Sequence, residues 1–131
     1  MLSDADVLTT LPVFNLERAK RFYHEMLELH PLQELPQGLL YECASGRFLL
    51  YPTSIRSPSD HTQMSFVVAD LEAEVGDLKS EGVSFEEYDL PDLRTVGSIA
   101  YSRSTESAWF RDSEGNLIGI TQSTPGGASC V

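Results

Sequence analysis

Gln63-Met64-Ser65-Phe66-Val67-Val68-Ala69-Asp70-Leu71-Glu72 reads as a strand running into a capped helix. Phe66 and Val68 alternate with Ser65 and Val67. Asp70 then stands where a helix N-cap belongs, its carboxylate able to accept from the first free backbone N–H groups. The same pattern has already occurred once. Val13-Phe14-Asn15-Leu16-Glu17 matches Val68-Ala69-Asp70-Leu71-Glu72: a strand end, an Asn or Asp cap, then Leu-Glu opening a helix. Two such copies in one chain indicate an internal duplication.

Working outward, the first copy predicts a strand over Val7–Val13, with Pro12 near its end where a missing N–H is tolerable. Asn15 caps a helix to about Glu28, with Leu16, Ala19, Phe22, Tyr23, Met26 and Leu27 as its buried stripe and His30-Pro31 as its stop. Strands follow at about Pro31–Leu35, Leu39–Ala44 and Arg47–Tyr51, and Pro52 to Asp60 is a connector. The second copy predicts a strand over Thr62–Val68 and a helix from Asp70 to Glu81, with Leu71, Val75 and Leu78 inward and Gly82 as its stop. Val83–Tyr88, rich in β-branched and aromatic residues, reads as a strand, and Leu90 to Ser107 as a long loop with a short strand near Ile99–Tyr101. Ala108–Arg111 and Asn116–Thr121 form a hairpin around Asp112-Ser113-Glu114-Gly115, and residues 123–131 are a flexible tail. Each half (about 7–52 and 62–122) is therefore β-α-β-β-β. One helix covers one face of each sheet, so the expected fold is α+β, a curved mixed sheet with helices outside and a concave cleft within.

Composition narrows the function. The chain has 131 residues, 41% hydrophobic and 22% charged, as in a soluble globular domain. No apolar run approaches the roughly 20 residues that span a bilayer, and no leader pattern opens the chain, so a cytoplasmic location is expected. Cys43 and Cys130 make neither a disulfide framework nor a CxxC pair. A formal charge of −11 disfavours nucleic acid and anionic membrane, and is compatible with a cationic ligand that a negative field would draw in.

The ordered set of motifs resembles the vicinal oxygen chelate superfamily, the glyoxalase, bleomycin-resistance and extradiol-dioxygenase relatives. The paired Asn/Asp-Leu-Glu openings carry it, with Leu16-Glu17-Arg18-Ala19-Lys20-Arg21-Phe22-Tyr23 in the first helix. So does Trp109-Phe110-Arg111-Asp112-Ser113-Glu114-Gly115-Asn116, where Ser113 replaces the usual proline of the family's turn. The resemblance implies a divalent metal held from the first and last strands of each half. Carried over one at a time, the ligand positions fall on Leu8, Leu50, Gln63 and Gly119, whose neighbours Val7, Leu49, Thr62, Met64, Ile118 and Ile120 include no His, Asp, Glu or Cys. Leucine and glycine offer no lone pair, and an amide alone is a poor ligand for zinc, iron or nickel. No metal, cofactor or catalytic residue is therefore assigned.

Counting by strand alternation from those positions, the concave face carries Leu8, Thr10, Phe48, Leu50, Gln63, Ser65, Val67, Leu117, Gly119 and Thr121, with Trp109, Tyr101 and Arg103 as a lid or stacking wall. Such a mostly apolar cleft suits a small aromatic or cationic organic ligand. The implied function is metal-independent binding, like the antibiotic-sequestering branch of the family, and the resemblance also implies a homodimer. The acidic run Glu86, Glu87, Asp89 and Asp92 could attract a cation. The alternative is a glyoxalase- or dioxygenase-like lyase or oxidoreductase with a non-standard site drawing on Glu42, His61 or Tyr51.

Overall fold

The computed structural model describes residues 1–44, 46–55, 60–102 and 105–123. The chain divides into two compact units, Met1–Ser57 and Pro58–Val131.

The first unit opens with a short 3₁₀ turn at Leu2–Asp4, then β1 (Thr9–Val13) and α1 (Leu16–Leu27). β2 (Gln33–Leu35), β3 (Gly38–Cys43) and β4 (Gly46–Pro52) complete a four-stranded sheet in the order β1-β4-β3-β2. β1 lies parallel to β4, and the remaining pairs are antiparallel. Asn15 caps α1 as expected, its Oδ1 accepting from Arg18 N at 2.9 Å. The helix ends where Glu28 turns left-handed at φ 57°. Ala19 and Tyr23 are fully buried, and Tyr23 meets Tyr41 and Phe48 at ring centroid distances of 5.6 and 5.8 Å, which fixes the sheet face that α1 covers.

The second unit repeats this order. β5 (Met64–Val67) leads into α2 (Leu71–Ser80), capped by Asp70, whose Oδ1 accepts from Ala73 N at 3.2 Å. β8 (Ala100–Tyr101), β9 (Thr105–Arg111) and β10 (Leu117–Ser123) join β5 in the order β5-β10-β9-β8, with β5 parallel to β10. A small hairpin, β6 (Asp89–Leu90) with β7 (Leu93–Arg94), is inserted between α2 and β8. Both sheets thus have the same strand order and a single parallel pair, and the duplication read from the caps is visible in the topology. The architecture is α+β, two mixed four-stranded sheets with one helix each.

Several boundaries differ from expectation: β1, β2 and β5 each start two residues later than read, and two further differences bear on the site. Val83–Tyr88 is not a strand, because the outer edge of β9 is shared. β8 pairs with Glu106 and Ser107, leaving the preceding loop only the bridge Phe85–Phe110 and the bond from Glu86 N to Trp109 O at 2.8 Å. β9 begins at Thr105 rather than Ala108, which adds Ser107 to the sheet. The predicted tail lies almost wholly outside the described residues, as does Cys130. No helix among the described residues is long and apolar enough to cross a membrane.

Candidate functional site

In the second unit, Ala108, Phe110, Ile118 and Ile120 are buried, and α2 contacts β9 and β10. Gln122 Oε1 accepts from Leu71 N at the start of α2 at 2.6 Å, so the even-numbered residues of β10 face the helix. Strand alternation then turns Ser107, Trp109, Gly119, Thr121 and Ser65 to the opposite face. A cleft of about 390 Å³ lies there, lined by those residues with Thr62, Gln63, Met64 and Ile120. Trp109 pairs across the strands with Gly119, so an indole stands beside a position with no side chain. Its Nε1–H donates to Thr62 Oγ1 at 3.1 Å, and its ring meets Tyr88 edge-on at 5.5 Å. Burial beside Glu86 raises the Tyr88 phenol above its usual range, keeping it neutral.

The space at Gly119 is less open than the sequence suggests. A Cβ there would lie 2.7 Å from Ser65 Oγ and 3.2 Å from the Thr62 methyl, so these two side chains occupy the volume an acidic residue would need. Gln63 is also committed. Its Nε2 donates to Asn116 Oδ1 at 2.9 Å, and its Oε1 accepts from Leu117 N at 3.0 Å. Asn116 is in turn held by Asp112, whose Oδ2 accepts from Asn116 Nδ2 and whose Oδ1 accepts from Glu114 N and Asn116 N, all at 2.9 Å. The turn between β9 and β10 is thereby tied to the residue preceding β5.

The first sheet requires a correction. Aligning the two caps places Leu11 on Phe66. Leu11 pairs with Leu50 and Phe66 with Ile120, so the counterpart of Gly119 is Leu49 rather than Leu50. The count from glycine fails because Gly46 already pairs within its strand, opposite Cys43, whereas Gly115 sits in the turn. Phe48 and Leu50 accordingly face α1 in the core, with Phe48 stacked on Tyr41 at 4.9 Å, and do not reach the opposite face. That face carries instead a cleft of about 660 Å³ lined by Leu8, Leu49, Arg47, Leu35, Leu40 and neighbouring polar groups. Thr10 is exposed beside it but outside its lining.

Tyr101 is also misplaced by the sequence reading. It pairs with Glu106 on the helix side of the sheet, and its hydroxyl donates to Glu72 Oε1 on α2 at 3.2 Å. Arg103 lies outside the described residues. Three members of the acidic run, all but Asp92, are engaged locally: Glu86 pairs with Arg111, Asp89 with Arg94, and Glu87 accepts from both Thr95 and Ser98 hydroxyls at 2.7 Å. Glu42 is bound to Arg47 Nε at 2.7 Å, and His61 is exposed and not among the residues lining the second-sheet cleft. Sequence reasoning missed Ser107, Thr62, Met64 and Ile120. Alternation back from Trp109 would have found Ser107 had the strand been extended to Thr105.

Taken unit by unit, the positions to which the resemblance assigns metal ligands are Leu8 and Leu49 in the first and Gln63 and Gly119 in the second. Neither pair fits a divalent ion, since the first has no donor side chain and the second has only the Gln63 amide, already bonded at both ends. Among the described residues no group of three or more His, Cys, Asp or Glu is arranged to hold a metal.

The sequence profile described as Glyoxalase/Bleomycin resistance protein/Dioxygenase superfamily matches residues 7–120. No curated protein matches the chain in sequence. Among solved structures, UcmS2 is 18% identical with a TM-score of 0.68, over 89% of this chain and 97% of that one. TnmS3, an antibiotic binding protein from a Streptomyces species, is 21% identical with a TM-score of 0.61, over 92% and 98%. Lactoylglutathione lyase from Agrobacterium tumefaciens is 23% identical with a TM-score of 0.60, over 91% and 93%. At such identities the likeness establishes the fold, and with the profile match over most of its length the chain belongs to the glyoxalase/bleomycin resistance protein/dioxygenase superfamily.

Proposed function

We propose that this chain binds a small planar organic molecule, aromatic or cationic, without a metal, in the manner of an antibiotic-sequestering protein. The observation that carries this reading is the pairing of Trp109 with Gly119 in a cleft whose inherited ligand position, Gln63, is bonded at both ends. The Trp109 indole offers a flat apolar wall for a ring, and the cleft volume of about 390 Å³ is of the size that small-molecule sites have. A solved structure of the same fold is described as an antibiotic binding protein, which supports the reading by analogy. The charge of −11 would speed the encounter with a cationic drug.

Trp109 is the only tryptophan in the chain, so its fluorescence reports on this cleft alone. Titration with planar aromatic and cationic glycopeptide antibiotics should quench it saturably, with matching heat in calorimetry and drug tolerance in an expressing host. Absence of quenching and heat across such a panel would overturn the reading. Stoichiometric zinc, nickel, iron or manganese in protein purified without chelator would overturn its metal-independent part. The same reading carries a homodimer and a cytoplasmic location, tested by sedimentation velocity and by cell fractionation.

A further inference from the structure

The hydrogen bonds around the second-sheet cleft restrict what its ligand can be, and this inference rests on the binding reading above. The acceptors around the cleft constrain where its hydroxyl protons can point. Thr62 Oγ1 accepts from the Trp109 indole at 3.1 Å, which leaves the Thr62 proton for another acceptor. Thr121 Oγ1 donates to Glu106 O at 3.2 Å. With that proton used, the 3.3 Å contact between Ser107 and Thr121 runs with Ser107 as donor, so the lone pairs of Ser107 Oγ are what it presents to the cleft. Ser65 Oγ lines the same space, and no protein hydrogen bond to it is found among the described residues. The cleft therefore offers donors from Thr62 and Ser65, an acceptor from Ser107, and a flat wall from Trp109. No charged side chain is among its lining.

We propose that the cleft selects an uncharged aromatic molecule bearing both a carbonyl-type acceptor and a hydroxyl donor. The ring lies along Trp109, the acceptor faces the Thr62 and Ser65 hydroxyls, and the donor faces Ser107. A cation would meet the indole face and hydroxyl dipoles but no countercharge, whereas a neutral ring takes the same face and both hydrogen bonds without giving up an ion's hydration. The overall negative charge acts on encounter at long range, whereas the lining decides what stays.

Three bicyclic probes separate the possibilities in calorimetric titrations at pH 6: 7-hydroxycoumarin (acceptor and donor), coumarin (acceptor only) and N-methylquinolinium (cation). The expected order is 7-hydroxycoumarin tightest, then coumarin, with N-methylquinolinium at least about tenfold weaker than the first, since two neutral hydrogen bonds together are worth about that factor. Ser107→Ala should weaken 7-hydroxycoumarin about fivefold and leave coumarin unchanged, a difference that general damage to the fold would not produce. Ser65→Ala should weaken both. Equal or tighter binding of N-methylquinolinium would overturn the ligand class while leaving the binding reading in place, as would a Ser107→Ala variant that weakens coumarin equally. No heat from these probes or from the antibiotic panel would remove both.

Discussion

Gln63 Nε2 donates to Asn116 Oδ1 at 2.9 Å, and the other end of the same amide accepts from Leu117 N at 3.0 Å. One side chain thus satisfies a backbone N–H at the start of β10 and fastens the hairpin turn to the approach of β5. At a position to which the sequence resemblance assigns a metal ligand, this chain has a structural brace. Gln63→Ala leaves a partly buried N–H and the Asn116 oxygen without these partners. It should cost about 1–3 kcal/mol, the usual penalty for orphaned polar groups. Urea unfolding of wild type and variant measures this directly, and an unchanged midpoint would show that the amide is not a brace.

The parts of the fold legible in the sequence were those set by local chemistry. Asn15 and Asp70 cap their helices with the side-chain bonds their positions predict, and Asp112 and Gly115 make the hairpin turn. What failed depended on pairing. Whether Leu49 or Leu50 faces α1 turns on how many residues the bend after Cys43 contains, and a one-residue change there flips the whole strand. Tyr101 is directed by Glu72, a residue far away in sequence, and Val83–Tyr88 lost its place as a strand to competition for one edge of β9. Of the expected cleft residues, Gln63, Ser65, Trp109, Gly119 and Thr121 are gathered in one space, because the second turn length was read correctly.

Tyr41 is buried between Tyr23 and Phe48, and its hydroxyl has no hydrogen-bond partner among the described residues. Tyr41→Phe keeps the ring contacts and removes the unsatisfied oxygen, so it should stabilise the protein by about 1 kcal/mol. The variant also carries a pH signature. Burial first, and Glu34 second, push the Tyr41 phenol up to about 12. The folded state then holds its proton more tightly than the unfolded chain, whose tyrosine titrates near its ordinary value. Stability from this group is complete below that value and is lost as pH rises through it toward about 12. Denaturation midpoints from pH 9 upward should therefore fall less steeply in Tyr41→Phe than in wild type, a comparison checked with urea at a series of pH values.

Glu87 works at the opposite end of the scale. The Thr95 hydroxyl, and then the Ser98 hydroxyl, hold its carboxyl below the usual carboxylate range. Its contribution is present above the unfolded value and is lost as pH falls through the folded one. Glu87 ties together a loop in which Ser98 is buried with φ +75° and Tyr88 leans on Trp109. Glu87→Gln should thus reduce the acid-side loss of stability. It should also raise amide exchange at Thr95 and Tyr88, whose N–H groups bond within this loop. Hydrogen-exchange protection unchanged in the variant would mean that the hydroxyl bonds do not hold the loop.

Gly119 and Ser65 share one space, and substitution at either should be felt at the other. A Cβ on residue 119 would come within 2.7 Å of Ser65 Oγ, closer than such atoms approach, so Gly119→Ala must turn the short Ser65 side chain away. The backbone itself gains from the change, because alanine in a strand interior avoids the roughly 0.5–1 kcal/mol entropic penalty of glycine. Net stability should therefore move by less than about 1 kcal/mol, while affinity for a ring-bearing ligand drops about tenfold through loss of both floor space and the Ser65 hydroxyl. Ser65→Gly alone should cost about fivefold in affinity. Because Gly119→Ala already removes the Ser65 contact, the double variant should bind no worse than Gly119→Ala, a departure from additivity expected of touching residues. Fluorescence titrations of Trp109 across the four proteins measure the cycle. Strictly additive losses would mean that the two positions act separately and that the cleft floor is not built as described.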